Sequence, residues 1–274
     1  MAIESWYLRL PAAAMLLAAA TIQAQTMAPP SAEAYLGAAH ALNLLDVVPP
    51  APVPGDPRDL ADRAIFRATR SAENTARWTL AQHDADYSVP ALLGDFACAL
   101  GAAPDAHNAP RLSTLVTRAL ADSDVASMGV KTRYQRKRPF LVDEGPICVA
   151  RDTFMEHSFD YPSGHSSLAW TTGLILAELE PDRASEILAR ARAYGDSRVF
   201  CGVHTASAVE AGRIIAASVV AALHGSPAFR SDLEAAGKEL AALRKGQAPE
   251  QAACKMEDQL VSESPYAVHP GAER

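Results

Sequence analysis

The sequence PSGHSSLAWTTGLILAELEP (residues 162–181) joins a tight turn to one long apolar run. Pro162, Ser163 and Gly164 favour a turn, and the residues that follow lack the alternation of apolar and polar side chains that a strand requires. Pro181 lacks a backbone donor and ends a helix. The stretch therefore predicts a turn that leads into a helix, which closes near residue 181.

Helical patterns extend on both sides of this stretch. Asp56 and Pro57 are a typical helix start, with an N-cap acceptor followed by proline at the first helical position. Beyond them, Leu60 and a series of alanines at four-residue spacing keep one small apolar face, which predicts a closely packed helix over residues 57–82. Further helices are predicted at 89–127 (two, broken by GAAPDAHNAP), 181–194, 205–223 and 231–245.

No segment alternates like a strand, and no internal repeat is present. We therefore predict an all-α fold, a single compact multi-helix domain over residues 57–245. The active site of such a domain is expected at helix N-termini and loops.

The two ends of the chain differ in composition from this helical region. Arg9 precedes the apolar run LPAAAMLLAAATIQA, so a signal peptide is expected at residues 1–24, with a first core helix as the alternative. Residues 25–56 form a Pro-rich N-terminal segment, and residues 246–274 a C-terminal tail that is expected to be partly disordered. No other apolar run is long enough to span a bilayer, and a periplasmic protein is expected.

Charge and cysteine content narrow the possible functions. The formal net charge of −7 excludes general nucleic-acid binding, so any anion site must come from a local basic cluster. The four cysteines (Cys98, Cys148, Cys201 and Cys254) are widely spaced and form no CxxC, which argues against a zinc site. In an oxidising compartment two disulfides are expected, in any of three pairings; buried free thiols are the alternative.

The basic segment KTRYQRKRPF (residues 131–140) carries five Lys or Arg residues in its first eight positions. Lys131 and Arg138 are seven residues apart, a spacing that places both on one face of a helix. Alone, the segment is more typical of a solvated basic helix face or a nucleic-acid patch.

The segment YPSGHSS (residues 161–167) places a tight turn before a helix. Free backbone N–H groups and the positive end of the helix dipole point outward there, which makes an anion site. Gly164 lets an oxyanion approach the backbone, and His165 stands beside it. An ordinary helix N-cap is the alternative interpretation.

The segment SRVFCGVHTASAVEAGR (residues 197–213) adds an arginine and a second histidine. Arg198 can give a bidentate fork to a phosphate, and His204 is a candidate nucleophile or metal ligand, with a core or capping histidine as the alternative. Together the three segments supply cations, neutral donors and two histidines. That combination suits phosphoryl transfer without a metal.

In this order the segments resemble the three-part signature of the type 2 phosphatidic acid phosphatase superfamily. The matching residues are Lys131-x6-Arg138-Pro139, Pro162-Ser163-Gly164-His165 and Ser197-Arg198-x5-His204. The surrounding sequence is most similar to the class A bacterial non-specific acid phosphatases. The resemblance covers residues 45–245, and only the combination of the three parts is specific.

The resemblance implies a mechanism. His204 would attack phosphorus and form a phosphohistidine, while His165 would protonate the leaving alkoxide and then activate water. The phosphate oxygens would be held by Lys131, Arg138, Ser163, Gly164 and Arg198. The resemblance also implies phosphomonoester substrates, mildly acidic working pH, no metal or other cofactor, inhibition by vanadate, and a homo-oligomer.

One position departs from this pattern. In the family the third motif continues His-x3-Asp, and here the aspartate position is Ala208. Positions 204 and 208 are expected one helical turn apart, where a carboxylate would accept the far ring N–H of His204. By analogy with other triads, its loss costs on the order of 10²–10⁴ in rate. Glu210 lies on the wrong side of a helix to replace it, whereas Asp196 and Glu156 are candidates to reach in.

The sequence therefore predicts an acid phosphatase that is inactive or strongly impaired. A lone Asp→Ala change in intact surroundings favours an engineered variant over a natural homologue of low activity. The alternative functions are a periplasmic phosphate-ester or nucleotide-binding protein without turnover, and a vanadate-dependent haloperoxidase. The expected partners are phosphomonoesters, inorganic phosphate and further copies of the chain, with no nucleic-acid polymer and no membrane.

Overall fold

The computed structural model describes residues 33–37, 42–246 and 248–266. In these ranges the secondary structure is helical, with short 3₁₀ turns and no strand, so the all-α prediction is confirmed. The α-helices are α1 (Pro57–Thr69), α2 (Ala76–His83), α3 (Val89–Asp95), α4 (Ala97–Leu100), α5 (Pro110–Tyr134), α6 (Thr153–His157), α7 (Gly164–Leu179), α8 (Ala184–Cys201), α9 (Ala206–Leu223), α10 (Pro227–Leu243) and α11 (Gln251–Ser262). The expected signal peptide at residues 1–24 lies outside the described residues.

The helix predicted over residues 57–82 is two helices. Asp56 caps α1 through its side chain, as the sequence indicates. The chain then breaks at Asn74, whose φ of 64° is left-handed, and the Thr75 side chain caps α2. Alanines keep their four-residue spacing across the break, and the periodicity therefore did not reveal it.

α5 is longer than predicted and ends inside the basic segment. Gln135 adopts a left-handed φ of 48°, and its N–H bonds the Lys131 carbonyl oxygen at 3.0 Å. Lys131 therefore lies in the last turn of α5, whereas Arg138 lies in the loop beyond it. The prediction that these two residues share one helix face is wrong, because the helix stops between them.

α7 is the central helix of the domain. Its buried residues occur on all sides, and it packs against α5, α8, α9 and α10. Gly173 permits the approach of α8, since a Cβ there would lie 2.5 Å from the Cβ of Ala191. Gly212 does the same for α9, since its Cβ would lie 2.6 Å from the carbonyl oxygen of Ser163. Small residues therefore set the spacing of the helices that carry the signature segments.

By length and composition alone, one described helix is apolar enough to cross a bilayer. This helix is α9, with a mean hydropathy of 1.6 over 18 residues. The expectation that no such run follows the N-terminal one therefore fails for α9. A core helix passes the same test, and 56% of this one is buried inside the protein, where it packs against α5 and α7.

Two disulfides select one of the three pairings that the sequence left open. They join Cys98 to Cys254 and Cys148 to Cys201. The first fastens α11 to α4, and Glu257 on α11 also lies 2.6 Å from Arg190 of α8. The expectation of a partly disordered tail therefore does not hold for residues 251–262, which are held by a covalent bond and an ion pair.

The Cys98–Cys254 bond should stabilise the fold and retain α11. A C98S/C254S double substitution is expected to lower the free energy of unfolding by about 2–4 kcal/mol, because the bond joins residues 156 positions apart. Urea unfolding followed by circular dichroism measures this change. Amide exchange in α11 should become faster while that in α7 does not. The matched control, C148S/C201S, should leave exchange in α11 as it is, and an unchanged unfolding midpoint in C98S/C254S would contradict the prediction.

Candidate active site

His204 follows the end of α8 and precedes the first residue of α9. α8 stops at Gly202, whose φ of 79° is left-handed, and Thr205 is the N-cap of α9. The buried imidazole places Nδ1 at 2.7 Å from the carbonyl oxygen of Asp160 and 3.2 Å from Oδ1 of the same residue. Because both partners only accept hydrogen bonds, Nδ1 carries the proton and Nε2 keeps its lone pair.

Arg138 lies beside this lone pair. Its Nη1 is 3.2 Å from His204 Nε2 and donates to the Val203 carbonyl oxygen at 2.8 Å. Its Nε donates to Ser158 Oγ at 3.0 Å. The guanidinium is therefore held in place next to the candidate nucleophile.

Lys131 reaches the same region from the end of α5. Its Nζ donates to the Phe159 carbonyl oxygen at 2.9 Å. Burial and then repulsion from Arg138 lower the pKa of Lys131 to about 8, while Asp160 and Asp124 act in the opposite direction. The two cations of the first motif therefore converge from a helix and from a loop.

Arg198 is buried in the last turn of α8. One of its Nη atoms donates to the Ala81 carbonyl oxygen, but its buried Nε has no hydrogen-bond partner among the described residues. A buried guanidinium donor left unpaired is costly, and a bound anion would satisfy it. The neighbouring Ser197 has a structural part, since its Oγ donates to Asp84 at 2.5 Å and accepts from Arg77 at 2.9 Å.

The turn before α7 presents a helix N-terminus to the site. A cis peptide joins Tyr161 to Pro162, and the Ser163 hydroxyl caps α7 by accepting from the Ser166 N–H at 3.3 Å. The N-cap interpretation of Ser163 therefore applies, yet the serine keeps its own hydroxyl proton to donate. The space beside the Gly164 Cα is open, and its N–H is among the first of the helix, where no internal acceptor exists.

His165 lies one residue further, partly exposed. Its Nε2 is 3.1 Å from the Ala85 carbonyl oxygen, so Nε2 carries the proton and Nδ1 is the nitrogen available for proton transfer. The exposed Tyr87 ring packs edge-on against it, with 4.6 Å between ring centroids.

The two histidines belong to one electrostatic cluster. Burial lowers the pKa of each well below 6.5, and Arg138 and Arg198 lower both further. Lys131 also acts on His204. The surroundings therefore favour the neutral form of both imidazoles in the free protein, and an anion bound among these cations would raise the pKa of each ring.

The partner of His204 was missed by sequence reasoning. Asp160 is fully buried, and its Oδ atoms accept from the Thr205 N–H at 2.9 Å and the Thr205 hydroxyl at 2.6 Å. Arg136 Nη1 lies 3.2 Å from Oδ2. A carboxylate two residues before the PSGH motif is the only sequence signal for it, and that signal is weak without knowledge of which loop faces His204.

Arg136 differs from the other basic residues of its segment in its ion-pair partners. It pairs with Asp59 at 2.8 Å and Asp62 at 2.7 Å, in addition to Asp160. Asp62 in turn accepts from the Ser207 N–H at 2.9 Å. Lys131, Arg136 and Arg138 therefore face inward, whereas Arg133 and Lys137 of the same segment are exposed.

The position of Ala208 relative to His204 differs from the expectation. Because α9 begins at Ala206, His204 precedes the helix while Ala208 lies in its first turn, so the two residues are not one regular helical turn apart. Ala208 is fully buried, and its carbonyl oxygen accepts from the Ser163 N–H at 2.9 Å. The position therefore supports the anion turn through its backbone.

Neither of the acids proposed to replace an aspartate at 208 (Asp196 and Glu156) contacts His204, and Glu210, which was expected to lie on the wrong side, does not contact it either. Asp196 is paired with Arg192 and with Arg213, the latter at 2.8 Å. Glu210 also pairs with Arg213, and Glu156 is exposed on α6. Asp160, which the sequence did not suggest, contacts the ring instead.

One group of possible metal ligands lies elsewhere in the described residues. Ligand atoms of His83, Asp84 and Asp95 are within 4.8 Å of one another. Arg190 Nη2 lies 2.6 Å from Asp84 and 3.7 Å from Asp95, so a guanidinium already supplies the positive charge. This group is an ion-pair cluster behind the site and gives no support to a metal centre.

Comparison with known proteins agrees with this arrangement. The PAP2 superfamily matches residues 112–231. The chain is 41% identical to an acid phosphatase of Zymomonas mobilis subsp. mobilis over 80% of this chain and 83% of the relative. It is 35% identical to a non-specific acid phosphatase of Providencia stuartii (77% and 86%) and 32% identical to one of Salmonella typhimurium (70% and 78%).

The pKa of Lys131 predicts a pH-dependent anion affinity. Sulfate keeps its double charge from about pH 6.5 to about pH 9.5, and its affinity should fall about tenfold as pH rises through the Lys131 pKa of about 8. The reason is that Lys131 loses its charge while Arg138 and Arg198 keep theirs. Isothermal titration calorimetry measures the effect. K131R should bind sulfate with a flatter pH profile, and an equally flat profile for the unmodified protein would refute the role of Lys131.

Proposed function

Since this chain belongs to the class A bacterial acid phosphatases of the PAP2 superfamily, we propose that it hydrolyses phosphate monoesters through a phosphohistidine on His204. The observation that carries the proposal is the fixed tautomer of His204. Nδ1–H donates to Asp160, and the Nε2 lone pair stands 3.2 Å from Arg138 Nη1. A nucleophilic nitrogen positioned beside a cation suits attack on a phosphate ester.

In the first step the Nε2 lone pair attacks phosphorus, and the P–O bond to the leaving group breaks. His165 gives its Nδ1 proton to the departing alkoxide oxygen. The bound substrate is anionic and raises the lowered pKa of His165, which makes this proton available. The products are a free alcohol and phosphorylated His204, with Nδ1–H still bonded to Asp160.

In the second step His165, now neutral, takes a proton from water as the water oxygen attacks phosphorus. The P–N bond breaks, and its electron pair returns to Nε2 of His204. Inorganic phosphate leaves, and both histidines return to their starting states once His165 releases its proton.

The remaining residues hold the phosphoryl group. Lys131, Arg138 and Arg198 supply the positive charge that a metal provides in other phosphoryl-transfer enzymes. The Ser163 hydroxyl and the Gly164 N–H add neutral donors. The unpaired Nε of Arg198 supports this assignment, since a phosphate oxygen would give it an acceptor. No metal or other cofactor enters the proposed reaction.

Substrate and context follow from the same proposal. Phosphomonoesters are the proposed substrates, inorganic phosphate is the proposed product, and vanadate is the proposed inhibitor. We also propose a periplasmic location, in line with the similarity to bacterial non-specific acid phosphatases, and a homo-oligomer that has neither a nucleic-acid polymer nor a membrane as partner.

The rate of the proposed reaction depends on how His204 is oriented. Ala208 alone predicts an impaired enzyme, whether engineered or natural. His204 nevertheless has an acceptor in Asp160. The degree of impairment therefore depends on whether Asp160 orients the His204 ring as an aspartate at 208 would.

The covalent intermediate can be trapped with p-nitrophenyl phosphate, whose leaving group departs without an acid. At about pH 5.5 with EDTA present, H165A should release one equivalent of p-nitrophenolate and then stall, because its phosphohistidine lacks a base for hydrolysis. The enzyme should carry a phosphoryl label that is stable in base and lost in acid. H204A should lose turnover on the order of 10³ or more and carry no label.

The matched control is H224A. His224 lies at the end of α9 against Glu178, away from the cluster, and the variant should retain turnover. If the unmodified protein and all variants bind phosphate but show neither a phosphoryl label nor turnover, the binding-protein alternative is favoured. Peroxide-dependent halide oxidation with added vanadate would favour the haloperoxidase, and loss of activity in EDTA would refute the metal-free mechanism.

A further inference from the structure

Asp160 lies outside the three signature segments and is fixed on every side. Its N–H donates to the Arg136 carbonyl oxygen at 2.7 Å. Its side chain accepts both the N–H and the hydroxyl of Thr205, the residue that follows His204. The carboxylate is therefore locked in position against the loop that carries the candidate nucleophile.

The surroundings of this carboxylate shift its pKa in opposite directions, and the rise caused by burial is the larger. Burial raises the pKa of Asp160, while Arg136, Thr205 and Arg138 act to lower it. Arg136 is itself held by Asp59 and Asp62, so it cannot turn away from the site. The ion pair with Arg136 and the two hydrogen bonds from Thr205 are the partners that an ionised carboxylate needs when it is buried.

Two atoms of Asp160 share the His204 Nδ1–H. The backbone carbonyl oxygen at 2.7 Å sets the tautomer by itself. Oδ1 at 3.2 Å adds a negative charge next to the ring. That charge matters when the ring becomes positive, as it does once Nε2 is phosphorylated while Nδ1 keeps its proton.

We propose that Asp160 is the positioning carboxylate of His204 in this chain, in the place of the aspartate that the family signature has at position 208. The inference rests on the proposed function of His204. It makes the chain a competent phosphatase, with no loss of the orienting charge at Ala208.

The surroundings of position 208 agree with this assignment. Thr205 Oγ1 lies 3.4 Å from the Ala208 nitrogen and 2.6 Å from Asp160 Oδ2. A carboxylate at 208 would be buried close to that of Asp160, and two like charges in one buried site repel. Ala208 therefore fits a site in which Asp160, and not the residue at 208, supplies the orienting charge.

Steady-state kinetics of four proteins test the proposal: the unmodified chain, D160N, A208D and D160N/A208D. On p-nitrophenyl phosphate, D160N should lower kcat on the order of 10² while KM and sulfate affinity change little. A208D alone should give no gain. In D160N/A208D kcat should be at least about tenfold higher than in D160N, because a carboxylate then stands at the position where the family signature has its aspartate.

Opposite results separate the inference from the proposed function. If A208D raises kcat on the order of 10² or more, the orienting charge is missing in this chain; the inference fails and the phosphatase function stands. A D160N variant with unchanged kcat overturns the inference as well. If D160N does not fold, A208D alone decides, since a gain refutes the inference and no gain supports it.

If no variant hydrolyses the ester, the proposed function fails and nuclear magnetic resonance decides the inference. The charged groups facing His204 are Asp160, Arg138, Lys131 and Arg198, with His165 nearby. D160N removes the only anion of this set. The Nδ1–H resonance of His204 should move upfield, because the proton loses its contact with a carboxylate oxygen. An unchanged His204 resonance overturns the inference.

D196N is the matched control for the loss of a buried carboxylate. Asp196 is buried and pairs with Arg192 and Arg213, and it does not contact His204. This variant should lose stability as D160N does, while its His204 resonance is unmoved and its kcat stays within about twofold. A similar kcat loss in D196N would assign the D160N effect to stability.

Discussion

The site depends on the close contact between α9 and the turn that begins α7. A Cβ at Gly212 would lie 2.6 Å from the Ser163 carbonyl oxygen, so only a glycine allows the helices this near. The same contact lets the Ser163 N–H reach the Ala208 carbonyl oxygen at 2.9 Å. His165 and His204 each lie within two residues of the start of one of these helices. The separation of the two histidines is therefore set by a backbone packing constraint, on which the chemistry of the signature relies.

The buried cations fall into two groups that differ in how well they are satisfied. Arg136 is surrounded by Asp59, Asp62 and Asp160, and these ion pairs tie α1 and the loop before α9 to the basic segment. Arg198 instead keeps a buried Nε without a partner, next to two histidines whose pKa it lowers. Paired arginines hold the framework, because breaking a buried pair strands a charge. Among the described residues Arg77 and Arg213 also have a buried Nε without a partner, so it is the position of Arg198 beside the two histidines that assigns it to the anion site.

Local signals in the sequence were sufficient for much of the fold. The cap at Asp56 and the apolar periodicity predicted most helices, because capping and amphipathic packing act over a few residues. Contacts between distant segments were not predictable in this way. The left-handed Gln135 ended α5 between Lys131 and Arg138, and the disulfide to Cys254 fixed a helix in a polar tail. The order of the signature segments identified the family, whereas the partner of His204 required the fold.

An orienting charge does not have to come from the helix that follows the nucleophile. The Asp160 carboxylate contacts His204 across a sequence separation of 44 residues, through a loop fixed by Arg136 and Thr205. A signature records residue types at positions, but the reaction requires an acceptor at the far ring nitrogen and a negative charge close to it. The backbone carbonyl of Asp160 supplies the first and its side chain the second, at distances of 2.7 Å and 3.2 Å. Once both atoms are present, a side chain at 208 would add only a second buried charge, so a small residue is the better fit to the site as it is built.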